Sequence, residues 1–275
     1  MPEGPEIRKA ADRVERAIAP YPVSEIFFAF DHLKPYAEKL TGRQIEAVQT
    51  HGKAMLIRFD NDLSIYSHNQ LYGKWMVRNT YNYPETNRQL RLAIHNEKKS
   101  ALLYSASDIA VLTPPEVEQH PFLSKLGPDV LDRTLTPQAI QDLLKSRSHQ
   151  RRQFTTLFLD QHFLAGVGNY LRSEILFVAR QHPRRKPVDC SDEELLALGE
   201  AAIAVPYQSY QYSGITNDLD LANRLKAEGV SRRQYRHWVF NRDGKPCYVC
   251  GTPICKDFAS SRRFYYCPVC QSLDD

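Results

Sequence analysis

Four cysteines near the end of the chain constrain it most. Cys247, Cys250, Cys267 and Cys270 form two C-x2-C pairs with sixteen residues between them, a spacing that suits a zinc site. Each pair sets two thiolates at a tight knuckle, and two pairs close a tetrahedron that leaves no position for water. The pattern predicts one structural zinc in a finger over 241–275. It offers no open site for metal catalysis. Cys190 and Cys255 fall outside it. Beside the finger run "RRQYRHWVFNRDGK" (232–245) and "RSHQRRQF" (147–154), basic stretches with aromatics interleaved, in a chain of net charge +4. A charge run is commonly a solvated face, but two of them near a zinc motif point to nucleic acid. No apolar run reaches membrane-span length, and the N-terminus lacks a signal peptide's apolar stretch. A cytoplasmic location without disulfides is expected.

The 275 residues are enough for more than one core. Seven β-branched and aromatic segments, 23–30, 44–50, 54–59, 63–68, 90–95, 101–106 and 109–112, alternate with turn signals and predict an antiparallel β-sandwich over 1–123. The proline-rich "TPPEVEQHPFLSKLGPD" then leads through a linker at 124–130. A helical domain follows over 131–240. In it Thr136 caps a helix that opens on Pro137, Ser191 and Glu194 form a capping box, and 154–179 reads as two apolar helices broken at "AGVGN". The fold class is multidomain α+β.

The start, "MPEGPE", is unusual. Ile7, Ala10, Ala11, Val14, Ala17 and Ile18 have helical spacing, and Pro5 and Glu6 suit a helix start. Pro2 and Glu3 remain unexplained. Removal of Met1 would leave a secondary amine with a sizeable neutral fraction near pH 7, able to form an iminium, with Glu3 beside it to move protons. From this stretch alone a merely structural terminus is the favoured reading. Gly166 and Gly168 open a helix in a turn whose N–H groups suit an anion, either a DNA phosphate or nothing more than a helix corner capped by Asn169. The turn follows a helix and lacks the dinucleotide pattern, so no nucleotide or redox cofactor is expected. Lys53 lies at a predicted hairpin tip, where an exposed cation meets a phosphate or simply solvent. Gln70, Leu71 and Tyr72 interrupt a strand, as a wedge into a base stack or as a half-buried loop.

Taken together, "PEGPEIRKAAD", "HGKA", "YSHNQLYGKW", "LYSASDI", "HPFLSKLGPDVLD", "FLAGVGNYLRSEIL" and "CYVCG" to "SSRRFYYCPVCQ" resemble, in order and over nearly the whole chain, the formamidopyrimidine-DNA glycosylase / endonuclease VIII family. The resemblance implies a leading helix on the sandwich, a helix–two-turn–helix domain and a zinc-finger β-hairpin. It implies a monomer acting on damaged double-stranded DNA in base excision repair. Pro2 would be the nucleophile, Glu3 the acid/base partner and Glu6 a supporting carboxylate. Lys53 would contact phosphate and assist β-elimination, and Arg262 would grip the lesion phosphates and serve δ-elimination. Asn169 with Gly166 and Gly168 would hold phosphate, and Gln70, Leu71 and Tyr72 would fill the gap left by an extruded base. Lys125 stands where a relative has arginine, and Arg263 where it has proline. "QLYG" resembles the branch acting on oxidised pyrimidines. The alternatives are the oxidised-purine branch and a non-catalytic zinc-dependent DNA-binding protein. The segment 212–238 differs most from the family pattern.

Overall fold

The structure is a computed structural model that describes residues 2–273. Two compact units divide the chain. One holds Pro2 and Glu6–Lys125, the other Glu3–Pro5 and the chain from Leu126 onward. The division falls within the proline-rich stretch, and the cysteine-rich end belongs to the second unit.

Helix α1 (Gly4–Ile18) opens the chain and sends Ala11, Val14 and Ile18 into the core of the first unit. That unit continues through β1 (Glu25–Phe28), α2 (Tyr36–Leu40), β2 (Ile45–His51), β3 (Ala54–Phe59), β4 (Ser64–His68), β5 (Lys74–Asn79), β6 (Leu90–His95), β7 (Lys99–Tyr104), β8 (Asp108–Leu112) and α3 (Pro114–Glu118). Two four-stranded sheets form, in the orders β1-β6-β7-β5 and β2-β3-β4-β8, antiparallel throughout. Ile26, Phe28, Leu92, Ile94 and Leu103 of one sheet share a core with Val48, Ile57, Phe59, Ile65 and Val111 of the other. Buried Asn96 ties helix to sheet. Its Nδ2 donates to the Ala17 carbonyl at the end of α1, while its Oδ1 accepts from the Lys98 and Lys99 amides in the β6–β7 turn. These bonds satisfy backbone groups that a helix end and a turn leave open.

The sandwich has one more strand than the sequence pattern predicts. β5 lies at the edge of its sheet, where "KWMVRN" is partly to fully exposed along its length. With no fully buried face to maintain, it keeps no strict alternation, and the pattern is lost.

The second unit contains α4 (Pro137–Lys145), α5 (Phe154–Leu157), α6 (Asn169–Val178), α7 (Asp192–Gln211), α8 (Leu219–Ala227), α9 (Arg232–Tyr235) and the hairpin β9 (Cys255–Ala259) to β10 (Arg262–Tyr266). The predicted caps form. Thr136 accepts from the Ala139 amide at 3.2 Å, and Ser191 and Glu194 cap each other's backbones. The core packs Leu171, Ile175 and Leu176 of α6 against Leu195, Leu198 and Ala202 of α7, with Phe154, Phe158 and Phe163 alongside.

The first of the two apolar helices expected over 154–179 is only the single turn α5. Beyond it, Asp160 accepts the His162 amide, and Gln161 both accepts from the Gly166 amide and donates to the Val167 carbonyl. Polar side chains thus stabilise an irregular path that the apolar spacing of its neighbours conceals. No helix among the described residues is long and apolar enough to cross a membrane.

Candidate active site

The first turn of α6 points its amides at a carboxylate of the chain itself. Gly168 N–H and Leu171 N–H donate to Glu3 Oε2 at 2.7 and 3.2 Å, and Tyr170 N–H donates to Oε1 at 2.9 Å. Glu3 is 4 % exposed. An anion is favoured here because the helix start carries unpaired donors and the positive end of the dipole. The Gly166–Gly168 turn therefore does collect an anion, but these amides hold Glu3 and not an external phosphate. Two details make the approach close. The Gly4 amide donates to the Gly166 carbonyl at 2.9 Å, and Gly166 has φ +99°, a left-handed value that favours glycine. Asn169, the first residue of α6, has an Oδ1 that is buried without a hydrogen-bond partner.

One turn along α6 lies a residue the sequence reading did not single out. Arg172 is fully buried, with Nη1 donating to the Thr155 carbonyl at 2.6 Å and Nη2 to the Arg263 carbonyl at 2.8 Å. Its guanidinium lies 5.6 Å from the centre of the Phe264 ring. Burial pushes it down to about 10, Glu3 opposes that shift and Arg262 adds to it. The guanidinium is thus charged at neutral pH and lies within electrostatic reach of both. Its signal in the sequence was a charge inside the apolar run "NYLRSEILFV". The carbonyl it grips belongs to β10, whose first residues, Arg262 and Arg263, are both exposed. Side chains alternate along a strand, so the two arginines leave opposite faces, Arg262 on that of Phe264 and Arg263 on that of Tyr265. Ser260 and Ser261 make the two-residue turn before them, with φ +46° and +61°.

Glu174, also on α6, anchors a second network. Its fully buried carboxylate accepts from the amides of Trp238, Val239 and Phe240 at 2.8, 2.9 and 2.9 Å and from the Thr216 hydroxyl. Burial pushes this carboxyl up, and those four hydrogen bonds oppose the shift. Four donors converging on two oxygens match the ionised form.

In the first unit, Lys53 follows Gly52, of φ +59°, in the turn between paired His51 and Ala54. It is half-buried, not exposed as the hairpin tip suggested. Its charge acts on His68, which burial holds below its ordinary range while Asp108 opposes the shift. Gln70 has φ +47°, and its Oε1 accepts from the Ser107 hydroxyl at 3.0 Å. Leu71 and Tyr72 project into solvent, 59 % and 70 % exposed. A loop that buried its apolar side chains would not do this. Pro2 and Glu6 are half-buried, and Lys125 is exposed at the end of a short helical turn (Leu123–Lys125). Met1 lies outside the described residues.

The four finger cysteines converge, with all ligand sulfurs within 4.8 Å of one another. Cys250 and Cys267 Sγ are 3.4 Å apart, Cys247 and Cys270 Sγ 3.8 Å. Four sulfurs at tetrahedral zinc distances would be separated by roughly 3.8 Å. The Val249 and Cys270 amides donate to Cys247 and Cys267 sulfur, each at 3.4 Å. Hydrogen bonds to Thr252 bring the Cys250 thiol down to about 6. The donor set fits a structural metal ion, and Cys255 is not part of it.

Residues 1–107 match the formamidopyrimidine-DNA glycosylase N-terminal domain and residues 126–218 the formamidopyrimidine-DNA glycosylase H2TH domain. Endonuclease 8 of Escherichia coli strain K12 is 48 % identical over 98 % of this chain and 100 % of that protein, and Endonuclease 8 of Shigella sonnei is 47 % identical over the same shares. Among solved structures, the Lactococcus lactis Fpg complex with abasic-site DNA aligns at TM-score 0.80 and 21 % identity over 98 % of this chain and 99 % of that one. The complex of the same enzyme with oxidised-pyrimidine DNA aligns at TM-score 0.81 and 20 % identity over 98 % and 100 %. The fold likeness and the full-length identity agree: the chain belongs to the formamidopyrimidine-DNA glycosylase / endonuclease 8 family of DNA glycosylases with abasic-site lyase activity.

Proposed function

We propose that this chain removes oxidised bases from double-stranded DNA, pyrimidines preferred, through a Schiff base on Pro2, and cuts the strand by β,δ-elimination. The observation that carries the reading is the placement of Glu3. Its carboxylate is fixed by three backbone amides, one peptide bond away from the Pro2 nitrogen. The unprotonated Pro2 amine attacks the anomeric carbon, the C1′–base bond breaks, and the base leaves with a proton. The sugar ring then opens to an iminium that draws electrons from C2′. Loss of a C2′ proton expels the 3′ phosphate, a second elimination expels the 5′ phosphate, and water returns the amine. A fixed anion beside Pro2 stabilises the cationic intermediate without reorganising.

Arg262 grips the departing phosphate and supports δ-elimination. It leads over Arg263 in this reading because it stands at the position of the family's arginine, and its charge reaches Arg172 beside Glu3. Lys53 contacts phosphate and assists the first elimination, with Glu6 supporting. Asn169 offers its side chain to phosphate, Lys125 reaches the DNA backbone, and Gln70, Leu71 and Tyr72 fill the gap left by the extruded nucleotide. The exposed Leu71 and Tyr72 support that last role. Cys247, Cys250, Cys267 and Cys270 hold one zinc, which when bound closes the finger carrying Arg262 and takes no part in chemistry. The protein acts as a monomer in the bacterial cytoplasm.

A panel of duplexes, each with one defined lesion and borohydride added, tests the reading. A trapped adduct on Pro2 of protein lacking Met1 is expected, fastest with oxidised pyrimidines. An adduct on Lys53 with Pro2 untouched, or full activity with Met1 retained, would overturn it.

A further inference from the structure

A second basic site on the same unit takes no part in the reaction above. A pocket of about 300 Å³ is lined by Arg232, Arg233, Arg236, His237, Phe240 and Asn241. That volume is at the lower end for small-ligand sites. Its lining contains no carboxylate. Behind the lining, the Glu174 carboxylate lies 3.9 Å from His237 Nδ1 but is already taken up by the Thr216 hydroxyl and three backbone amides, and Asp243, which feels Arg233, is paired with Lys256 at 3.1 Å. Three guanidinium groups gathered in one concavity repel one another unless an anion joins them.

One of the three is held in place from deep inside the unit. Arg236 Nε–H donates to His237 Nε2 at 2.8 Å, so the second nitrogen of this buried ring carries its proton and donates to the Thr216 hydroxyl, also at 2.8 Å. Thr216 in turn donates to Glu174 on α6. Each member of the chain from Arg236 to Glu174 donates to the next, so the geometry admits one arrangement of protons. His237 is 2 % exposed and Thr216 2 %. Arg236 is therefore oriented before any ligand arrives, which lowers the ordering penalty of binding. The Arg232 side chain is held by the Ser213 carbonyl.

We infer that this pocket is a phosphate-binding site, separate from Arg262, Asn169 and Lys53, that takes a backbone phosphodiester of the bound DNA. Guanidinium forks match phosphate oxygens, and the aromatic wall suits the sugar edge beside one. The choice of DNA over a free phosphate follows from position. The pocket's Phe240 packs against Tyr170, next to Asn169 on α6, with ring centres 6.1 Å apart, and against Tyr265, three residues from Arg262 on β10, at 5.2 Å. The pocket thus shares a wall with both elements that present groups to the DNA strand. The inference rests on the DNA-binding reading above.

The test uses the full-length, zinc-loaded protein and a duplex with a stable abasic analogue. Log affinity against log salt should fall less steeply in R232Q/R233Q/R236Q than in wild type, by about 0.9 for each phosphate the variant no longer neutralises. In a scan of duplexes each carrying one neutral methylphosphonate, one position should weaken wild type and leave R236Q unaffected, at a linkage other than the one reporting on Arg262. The wild-type half of that scan does not depend on any variant folding. A folded triple variant with an unchanged salt slope, or a scan in which R236Q and wild type respond alike everywhere, would sink the inference. Inorganic phosphate that raises the wild-type Tm but not that of the triple variant, with the DNA slopes identical, would assign the pocket to a free anion and overturn the DNA claim. Wild-type protein that binds the duplex and traps with borohydride upholds the enzymatic reading in either case.

Discussion

Residue 168 is glycine because residue 3 is glutamate. A Cβ at 168 would lie 2.4 Å from the Glu3 carboxyl carbon and Oε1, so Gly168→Ala must displace the carboxylate. Base excision should fall about 100-fold, the scale expected for misplacing a catalytic group by around 1 Å, and single-turnover kinetics on a lesion duplex would show it. Normal turnover in a folded Gly168→Ala protein would refute the placement. The arginines at the hairpin make a second test. Arg262→Ala should accumulate the β-product and lower the salt slope by about 0.9, while Arg263→Ala should keep the wild-type product ratio; gel analysis at matched saturation decides between them. At this scale the sequence was half legible. The glycine turn announced an anion at a helix start, but nothing local could say that the anion comes from the other end of the chain. Arg172, Glu174, Thr216 and His237 were hidden for a related reason. Each is a polar residue whose meaning lies in a buried partner distant in sequence.

Among the elements, the β9–β10 hairpin carries the sharpest expectations. Its turn places two serines in succession in the left-handed region, where Asn-Gly is at ease. S260N/S261G should stabilise the second unit by about 1 kcal/mol, measurable by chemical denaturation, and no gain would argue against that turn. Removing zinc should unfold the finger and weaken DNA binding by misplacing Arg262, with the 6–125 sandwich retained. Hydrogen exchange with and without chelator would locate the change, and active protein free of metal would refute it. Helix caps were readable because Thr136, Ser191 and Glu194 act within one turn of chain. The finger was readable because ligand spacing is a local constraint. β5 and the 158–168 path were not. An edge strand without a buried face keeps no alternation, and side-chain bonds from Asp160 and Gln161 outweigh the apolar spacing around them.

For the molecule as a whole, buried histidines set the response to acid. His237 is pushed well below its ordinary 6.5 by burial, with Arg236 and Arg232 adding to the effect. Folded protein keeps the ring neutral, while the unfolded chain protonates below pH 6.5. The unfolded state thus binds more protons, and stability falls as pH drops below that value, by at most about 1.4 kcal/mol per pH unit from this group. Urea titrations from pH 7 to 5 should show a shallower decline for His237→Gln than for wild type; parallel curves would contradict the burial. The hold on Glu3 has another consequence, set by time. Its donors lie 165 to 168 residues downstream. At cellular elongation rates the ribosome reaches Leu171 roughly 10 to 30 s after it has passed Glu3. Until then the carboxylate has no seat, and the amino end stays open to the peptidase that would uncover Pro2. On the proposed mechanism, a stalled nascent chain therefore carries Pro2 without a fixed Glu3, and the capacity to cut DNA arises only after most of the chain has been made.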